Sequence, residues 1–133
     1  MSFLTPGKKN LITDVKGLYI GNSENELINT GSTILTCEDR FVASYKVLGG
    51  APGTRETDLL EPDKLVEKID ALVLSGGSAF GLEAASETVN LLRRDNKGYS
   101  VSNTKVPIVP SAIIFDLMNG GNKDWENNPY INL

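Results

Sequence analysis

The sequence predicts a fold of the α/β (α+β) class, in which helices pack on β-structure. The main observation is a short apolar strand at residues 71–74 that meets Gly76 and Gly77 and opens directly into a helix. A second observation is a run with period-two alternation at residues 41–48, which is typical of a half-buried strand. With 133 residues, 40% apolar and 23% charged, the chain has the length and composition of one folded domain.

The N-terminal third predicts three strands. A short strand is expected around residues 18–20, after Gly17, and the polar stretch 22–31 is expected to be a loop. Residues 32–37 and 41–48 are predicted to form an antiparallel hairpin with a three-residue connection at 38–40. One face of the second strand carries four apolar or aromatic positions: Phe41, Ala43, Tyr45 and Val47.

The middle of the chain predicts two helices around a strand. Residues 61–70 are expected to form a short helix, since Pro62 would stand at its first position, where no N–H is needed. The longer helix is predicted from about residue 78 to residue 94. The glycine-bearing stretch 95–98 ends it, after two arginines that favour a helix C-terminus. Its buried side is expected to carry Leu82, Ala85, Val89 and Leu92, flanked by Ala84 and Leu91.

The C-terminal part is apolar at first and then polar. Pro107 and Pro110 disfavour helix at the residues before them, so residues 106–109 are predicted to be extended. Residues 112–115 are either a strand or a buried turn, which periodicity does not decide. The polar tail from Met118 contains Trp125 and Tyr130, which are expected to cover a core or a subunit contact rather than stack on a ligand.

Composition excludes several classes of function. The net charge of −4 and scattered basic residues argue against a nucleic-acid partner, and no apolar run reaches the ~18 residues of a membrane helix. The N-terminus lacks the pattern of a signal peptide, and Cys37 is the single cysteine, so a cytoplasmic protein with an inert, buried thiol is expected. There is no histidine, which excludes histidine-dependent triads and zinc motifs within this chain; neither a metal nor a cofactor is expected.

The glycine-rich junction at residues 76–81 allows two interpretations. It is not a Walker A loop, because Leu82 stands where the lysine would be, and the spacings of the dinucleotide fingerprint and the nucleophile elbow are also missing. Its glycines either serve tight strand-to-helix packing, or the helix N-terminus donates N–H groups to a carboxylate or oxyanion. A weaker alternative is a phosphate site at the same place.

Residues 54–58 (Thr-Arg-Glu-Thr-Asp) place one cation beside two carboxylates, next to a flexible glycine- and proline-bearing loop. They form either a local salt-bridged loop or a site at which Arg55 recognises a substrate carboxylate, for which guanidinium geometry is suited.

Together these segments resemble the P1 family of peptidases, also called DmpA-like aminopeptidases, which includes β-aminopeptidases and nylon-oligomer hydrolases. The resemblance rests on residues 17–21 (Gly-Leu-Tyr-Ile-Gly), 49–56 (Gly-Gly-Ala-Pro-Gly-Thr-Arg-Glu), 74–82 (Leu-Ser-Gly-Gly-Ser-Ala-Phe-Gly-Leu) and 106–117 (Val-Pro-Ile-Val-Pro-Ser-Ala-Ile-Ile-Phe-Asp-Leu), in that order. It implies a partial αββα sandwich of the amino-terminal-nucleophile type, with residues 1–133 as a single incomplete domain that matches the N-terminal part of the family's α-chain.

In that family a precursor cuts itself before a serine or threonine, whose own α-amine then serves as base, so no histidine is needed. The resemblance covers only the first two fifths of a precursor, and the nucleophile lies beyond the position matching Leu133. No catalytic residue is therefore expected here: Ser78 lacks a base and Cys37 lacks an activating partner. Phe115 lies where some members place a tyrosine that lines the active site, and phenylalanine keeps the aromatic wall without the hydroxyl.

The resemblance implies a fragment of a peptidase or amidase acting on N-terminal amide bonds of small peptides. Its substrate-pocket candidates are Phe115, Gly76, Gly77, Ser78 and Arg55, and its expected partners are a complementary C-terminal chain and further copies of itself. The alternative is an inactive truncated paralogue that serves as a folded or partner-binding domain. Either way, a truncated sandwich is expected to expose a sheet edge and an apolar face.

Overall fold

The structure is a computed structural model that describes residues 4–133. Seven strands are present, β1 (Leu18–Asn25), β2 (Thr30–Phe41), β3 (Thr54–Arg55), β4 (Ile69–Ser75), β5 (Tyr99–Val101), β6 (Thr104–Val106) and β7 (Ser111–Ile113). The helix α1 spans Glu83–Arg94, and 3₁₀ turns lie at Ile12–Asp14, Asp58–Leu60, Ser78–Leu82 and Pro129–Asn132. This mixture of one sheet layer and one helix confirms the predicted α/β class as part of an α+β fold.

Five strands form one mixed sheet in the order β1-β2-β4-β7-β3, and β5 pairs with β6 in a separate hairpin. Within the sheet β4 and β7 run parallel, and the other neighbours are antiparallel. The segment between β6 and β7 lies along β4, because the backbone N–H of Asp70 and of Val73 donate to Ile108 and Pro110. The prediction of an extended segment before β7 agrees with this path.

One face of the sheet is covered by α1. Ala71 and Val73 of β4 are fully buried there against Ala84 and Ala85 of the helix. Ala71 and Val73 share this face because side chains two residues apart in a strand point to the same side of the sheet. Their small size and that of the helix alanines let the helix lie close to the sheet. We call this the covered face.

The opposite face has no layer over it within residues 4–133. The strand register places on it a set of mostly apolar side chains that are half-buried or exposed: Leu18, Ile20, Leu35, Cys37, Leu72, Leu74, Ala112 and Ile114. Leu74 is 49% exposed and Ile114 is 67% exposed. We call this the open face. Its existence agrees with the expectation that a truncated sandwich leaves an apolar face uncovered.

The predicted hairpin of residues 32–37 and 41–48 is wrong. β2 continues through residues 38–40 to Phe41, and the strand that forms a hairpin with it is β1, which extends from Leu18 to Asn25. The tight connection lies instead at residues 26–29. There the Asn25 side chain accepts the N–H groups of Leu27 and Ile28, and Asn29 takes a positive φ of 48°. Polar side chains in β1 hid this strand, because an edge strand need not alternate apolar and polar residues.

The predicted helix at residues 61–70 is also wrong. Asp58–Leu60 forms a 3₁₀ turn, residues 61–68 contain turns and irregular backbone, and β4 starts at Ile69. Leu65 is 93% exposed, whereas Ile69 is buried as the first residue of β4. Tertiary context decides short helices of this kind, because isolated helical turns are unstable in water.

The strand–glycine–helix unit is confirmed with longer bounds. The strand is extended by two residues at its start and one at its end, and the helix begins with the 3₁₀ turn Ser78–Leu82 before α1. The buried residues of α1 are Ala84, Ala85, Thr88 and Leu92. Leu91, expected to flank the buried side, is 47% exposed. No helix within residues 4–133 is long and apolar enough to cross a bilayer.

The C-terminal tail returns to the glycine junction. Tyr130 is fully buried, and the Trp125 ring meets the rings of Phe80 and Tyr130 edge-on, at centroid distances of 5.0 and 6.4 Å. The expectation that these aromatics cover a core agrees with this packing. The choice left open at residues 112–115 is decided in favour of a strand that ends at Ile113.

Candidate active site

The junction between β4 and the 3₁₀ turn is held by three hydrogen bonds that its backbone N–H groups donate. Gly76 N–H donates to the Gly31 carbonyl at 3.0 Å, Gly77 N–H to the Asp116 carboxylate at 2.7 Å, and Ser78 N–H to the Ile114 carbonyl at 2.9 Å. Gly77 and Ser78 both have positive φ angles, 86° and 53°. A left-handed conformation at a serine is uncommon and persists only where neighbouring contacts hold it.

The glycines of the junction are required by close packing. A Cβ at Gly76 would overlap the Asp116 carboxylate and the Thr30 hydroxyl, and a Cβ at Gly77 would overlap the Tyr130 ring. A Cβ at Gly81 would overlap the carbonyl oxygen of Gly76. Because these neighbours come from β2, the β7 end and the C-terminal tail, the junction is fixed from several directions.

A chain of hydrogen bonds links Tyr130, Thr30, Asp116 and Gly77. The Tyr130 hydroxyl donates to the Thr30 hydroxyl at 3.2 Å, which donates to the buried Asp116 carboxylate at 2.5 Å, whose other oxygen accepts from Gly77. Burial raises the pKa of the Tyr130 phenol above its ordinary value of 10.0; the hydrogen bond with Thr30 opposes this rise, and the Asp116 charge adds to it. This network was not predicted, although an aspartate inside the apolar run 106–117 is a signal for a buried, partnered carboxylate.

A cavity of about 640 Å³ lies beside this network at the rim of the open face. Its lining is polar and carries two carboxylates, an amide from each of three asparagines, and hydroxyls: Asn22, Ser23, Glu24, Asn29, Thr30, Gly31, Ser32, Thr33, Gly76, Ile114, Asp116 and Asn119. A shallower apolar hollow of about 270 Å³ continues along the open face past Leu74 and Ala112. Together they form a groove with a polar end and an apolar floor, which suits a small peptide-like molecule.

The structure brings some of the predicted pocket residues to this groove and not others. Gly76 lines the cavity, whereas Gly77 and Ser78, which follow it in the chain, are not part of the lining. Phe115 is 63% exposed and is not part of the lining, although its neighbours Ile114 and Asp116 are. Arg55 lies on the covered face, since it pairs with Ser111 opposite Val73, and its guanidinium donates to Ser86 of α1 at 2.6 Å.

The hydrogen bonds of the glycine junction bear on whether its glycines serve close packing or its N–H groups bind an anion. The N–H groups of Gly76, Gly77 and Ser78 all donate to protein atoms, so none of the three is free to bind a carboxylate, an oxyanion or a phosphate. This geometry favours the interpretation that the glycines serve close packing.

The salt-bridged loop expected at residues 54–58 is not present. Within residues 4–133 the ion pairs are Arg40–Asp70, Lys64–Asp63 and Arg94–Glu87, and none involves this segment. Glu56 instead accepts the N–H of Val109 at 3.4 Å. Arg55 and Glu56 therefore tie β3 to α1 and to the segment before β7.

Metal binding and thiol catalysis are two further kinds of chemistry that the described residues bear on. Within residues 4–133 no group of three His, Cys, Asp or Glu side chains is arranged to hold a metal ion. The Cys37 thiol is half-buried, and burial, with a smaller contribution from the Asp39 charge, raises its pKa above the ordinary value of 9.0. A raised pKa lowers the thiolate fraction, which is the opposite of what a catalytic thiol needs.

Comparison with protein families identifies the chain. Residues 10–132 match the model of peptidase family S58, and the chain therefore belongs to that family. The match spans the whole sheet, α1 and the glycine junction, so it includes every element that forms the groove.

Curated relatives come from mycobacteria and carry the name "uncharacterized aminopeptidase". The Mycobacterium tuberculosis and Mycobacterium bovis proteins are 41% identical to this chain over 128 residues, which is 90% of this chain and 36% of each relative. The Mycobacterium leprae protein is 40% identical over 119 residues, which is 84% of this chain and 33% of the relative. The chain thus spans about a third of the length of these relatives.

Proposed function

We propose that this chain is the N-terminal part of a DmpA-like peptidase or amidase that hydrolyses N-terminal amide bonds of small peptides. The nucleophile is a serine or threonine at the start of a complementary C-terminal chain, and its own α-amine acts as base. Residues 1–133 are then a single incomplete domain in a cytoplasmic oligomer, and no cofactor takes part.

The observation that carries this proposal is the open face. Sheets in globular proteins bury an apolar face against another layer, and here one face has its helix layer while the other has none within residues 4–133. A second sheet packed on Leu72, Leu74 and Ile114 would complete an αββα sandwich. The relatives have almost twice as much additional sequence as this chain covers, which is enough for a second sheet and its helices.

The groove supports the same proposal for the site. It lies at the rim of the open face, so a second sheet packed there would close it and bring residues of the complementary chain against Gly76 and Asp116. In this arrangement Gly76, Gly77 and Ser78 shape one wall of the substrate pocket, and Phe115 supplies an exposed aromatic surface beside it. Arg55 acts indirectly, through its hydrogen bond to Ser86, by holding β3 on α1.

The test is reconstitution in trans. The purified chain is mixed with the C-terminal portion of the M. tuberculosis relative, and hydrolysis of β-alanyl and D-alanyl p-nitroanilides is followed. The proposal predicts turnover by the mixture and none by either part alone. A mixture that forms a stable complex but hydrolyses neither anilide would contradict the enzymatic proposal.

A matched pair of variants shows whether activity depends on the open face. Leu74→Asp places a charge on the open face and Leu91→Asp places one on the outer side of α1, and the two leucines are almost equally exposed, at 49% and 47%. Burying an unpaired carboxylate between two sheets is costly, so Leu74→Asp should abolish reconstituted activity. Leu91→Asp should retain it.

The alternative, an inactive paralogue that binds a partner, is favoured by the same open face. The reconstitution experiment separates the two functions, because a paralogue of this kind would bind without hydrolysis.

A further inference from the structure

Residues 42–48 are an unpaired segment with the sequence of a strand. The pattern Val-Ala-Ser-Tyr-Lys-Val-Leu alternates with a period of two and is rich in β-branched and aromatic residues. In the structure the side chains at 43 and 45 are half-buried and those at 42, 44 and 46 are exposed, so the alternation is present in space. At about 3.3 Å per residue, seven extended residues equal an ordinary strand in length.

The backbone of this segment has no partner in the part of the chain that the structure describes. Within residues 4–133 no backbone hydrogen bond joins residues 42–48 to the rest of the chain. In the described residues its side chains make one hydrogen bond, from the Tyr45 hydroxyl to the Glu61 carboxylate at 2.9 Å, and this bond is exposed. Val42 and Leu48 are 73% and 88% exposed. A strand sequence with free N–H and C=O groups is a template for pairing with another strand.

The segment continues β2 beyond the paired part of that strand. The pairing with β1 ends at Cys37 and the pairing with β4 ends at Phe41. Within residues 4–133, therefore, no strand of this sheet lies beside residues 42–48, and a partner strand is missing.

We propose that residues 42–48 pair, strand to strand, with the C-terminal portion of the family fold, and so form a strand of the second sheet. This inference rests on the proposed completion of the fold. A second copy of this chain is a poorer partner, because two such segments paired alone would make a two-stranded ribbon, which is only marginally stable in water. The C-terminal portion offers a sheet that also covers the apolar side chains of the open face.

The experiment is amide hydrogen exchange on this chain, alone and with the C-terminal portion of the M. tuberculosis relative. Alone, the amides of residues 42–48 should exchange at the rate of an unprotected peptide. In the complex they should be slowed at least about a hundredfold, because strand hydrogen bonds open only with the sheet. Protection in the chain alone that rises with its concentration would assign the segment to a second copy and overturn the proposal.

A proline scan through the same segment, compared with alanine at Ser44, Tyr45 and Lys46, tests for backbone pairing, because side-chain contacts in a strand also alternate with a period of two. In an edge strand successive N–H groups point to opposite sides, so proline removes a hydrogen bond at every second residue. The Kd for the C-terminal portion should therefore alternate along the segment, with adjacent positions differing at least about tenfold. The proline substitutions are made at Ala43, Ser44, Tyr45 and Lys46. Tyr45→Phe controls for the lost contact with Glu61, and Leu65→Ser for loss of an exposed apolar side chain elsewhere.

The outcomes separate this inference from the proposed function. If the amides of residues 42–48 are protected and the proline variants alternate in Kd, but the complex does not hydrolyse the anilides, the strand pairing is supported and the proposed enzymatic function is contradicted. If the complex hydrolyses the anilides but the amides of residues 42–48 are not protected, the proposed strand pairing is wrong and the proposed enzymatic function is supported. Absence of any complex overturns the strand pairing, whatever the activity of other preparations.

Discussion

The two faces of the sheet come from the same strands and have different surroundings. On the covered face, β4 presents the fully buried Ala71 and Val73 to the helix; on the open face, it presents Leu72 and Leu74, and Leu74 is 49% exposed. Leucine is more apolar than alanine, so the side with the larger apolar residues is the one without a cover. Natural sheets seldom expose such a surface unless something binds there, which makes the open face the strongest evidence for assembly.

The largest effect is expected when isomeric side chains, one on each face of the sheet, are truncated to alanine and their losses of stability are compared. Ile69→Ala, at a position 1% exposed, should lower the free energy of unfolding by about 2–5 kcal/mol. Leu74→Ala should lower it by less than about 1 kcal/mol, because half of that side chain is already in water in the chain alone. Urea unfolding of both variants measures this difference. Equal losses would show that the open face is already covered, for example by a second copy.

The next effect concerns the network behind the groove. Asp116→Ala should lower the free energy of unfolding by about 1–3 kcal/mol, because it leaves the Gly77 N–H and the Thr30 hydroxyl without their acceptor. Asp116→Asn keeps an oxygen facing Gly77 and serves as the conservative control, with a smaller loss. Thermal unfolding of the two variants makes the comparison, and an Asp116→Ala protein as stable as the parent would contradict the network.

A smaller effect follows from the raised pKa of Tyr130. The folded state disfavours the phenolate, so this residue's contribution to stability is complete below pH 10 and is lost as the pH rises through the higher pKa of the folded state. The free energy of unfolding should therefore fall above pH 10. The fall should be less steep in Tyr130→Phe, which cannot ionise there. Parallel curves for the two proteins would contradict the assignment.

The smallest effect compares two buried serines on the covered face. Among the residues that the structure describes, the Ser111 hydroxyl has no hydrogen-bond partner, whereas the Ser32 hydroxyl bonds to that of Ser75 at 2.8 Å. Ser111→Ala should raise the free energy of unfolding by up to about 1 kcal/mol, and Ser32→Ala should lower it by a similar amount. Chemical denaturation measures both; destabilisation by Ser111→Ala would indicate a hydrogen bond at that hydroxyl.

The sequence predicts the parts of the fold whose local signals agree with their packing. The unit from β4 to α1 is such a part, because the apolar strand, the two glycines and the amphipathic helix all pack against residues of this chain. The errors at residues 41–48 and 61–70 have a common form, since in each segment the pattern predicted a regular element and only part of its apolar surface is buried within residues 4–133. Val42, Leu48 and Leu65 are exposed, whereas Tyr45 is half-buried and Ile69 is buried in β4.

The candidate site is predicted less completely than the fold. Gly76 is found because its motif is local, whereas the partners that make the motif necessary come from Thr30, Asp116 and Tyr130, which are distant in sequence and meet only in three dimensions. Arg55 was expected at a site because of its charge, yet the side of β3 on which it lies depends on strand register, which a two-residue strand does not reveal.

Alkylation of Cys37 tests the central claim most directly, because the single thiol of the chain lies on the open face opposite Leu18. Its reaction with iodoacetamide is timed for the chain alone and for the chain saturated with the C-terminal portion of the M. tuberculosis relative. If a second sheet packs on the open face, the rate should fall at least about tenfold in the complex, because burial excludes the reagent and raises the thiol pKa further. An unchanged rate in a complex that persists on a sizing column would contradict the account.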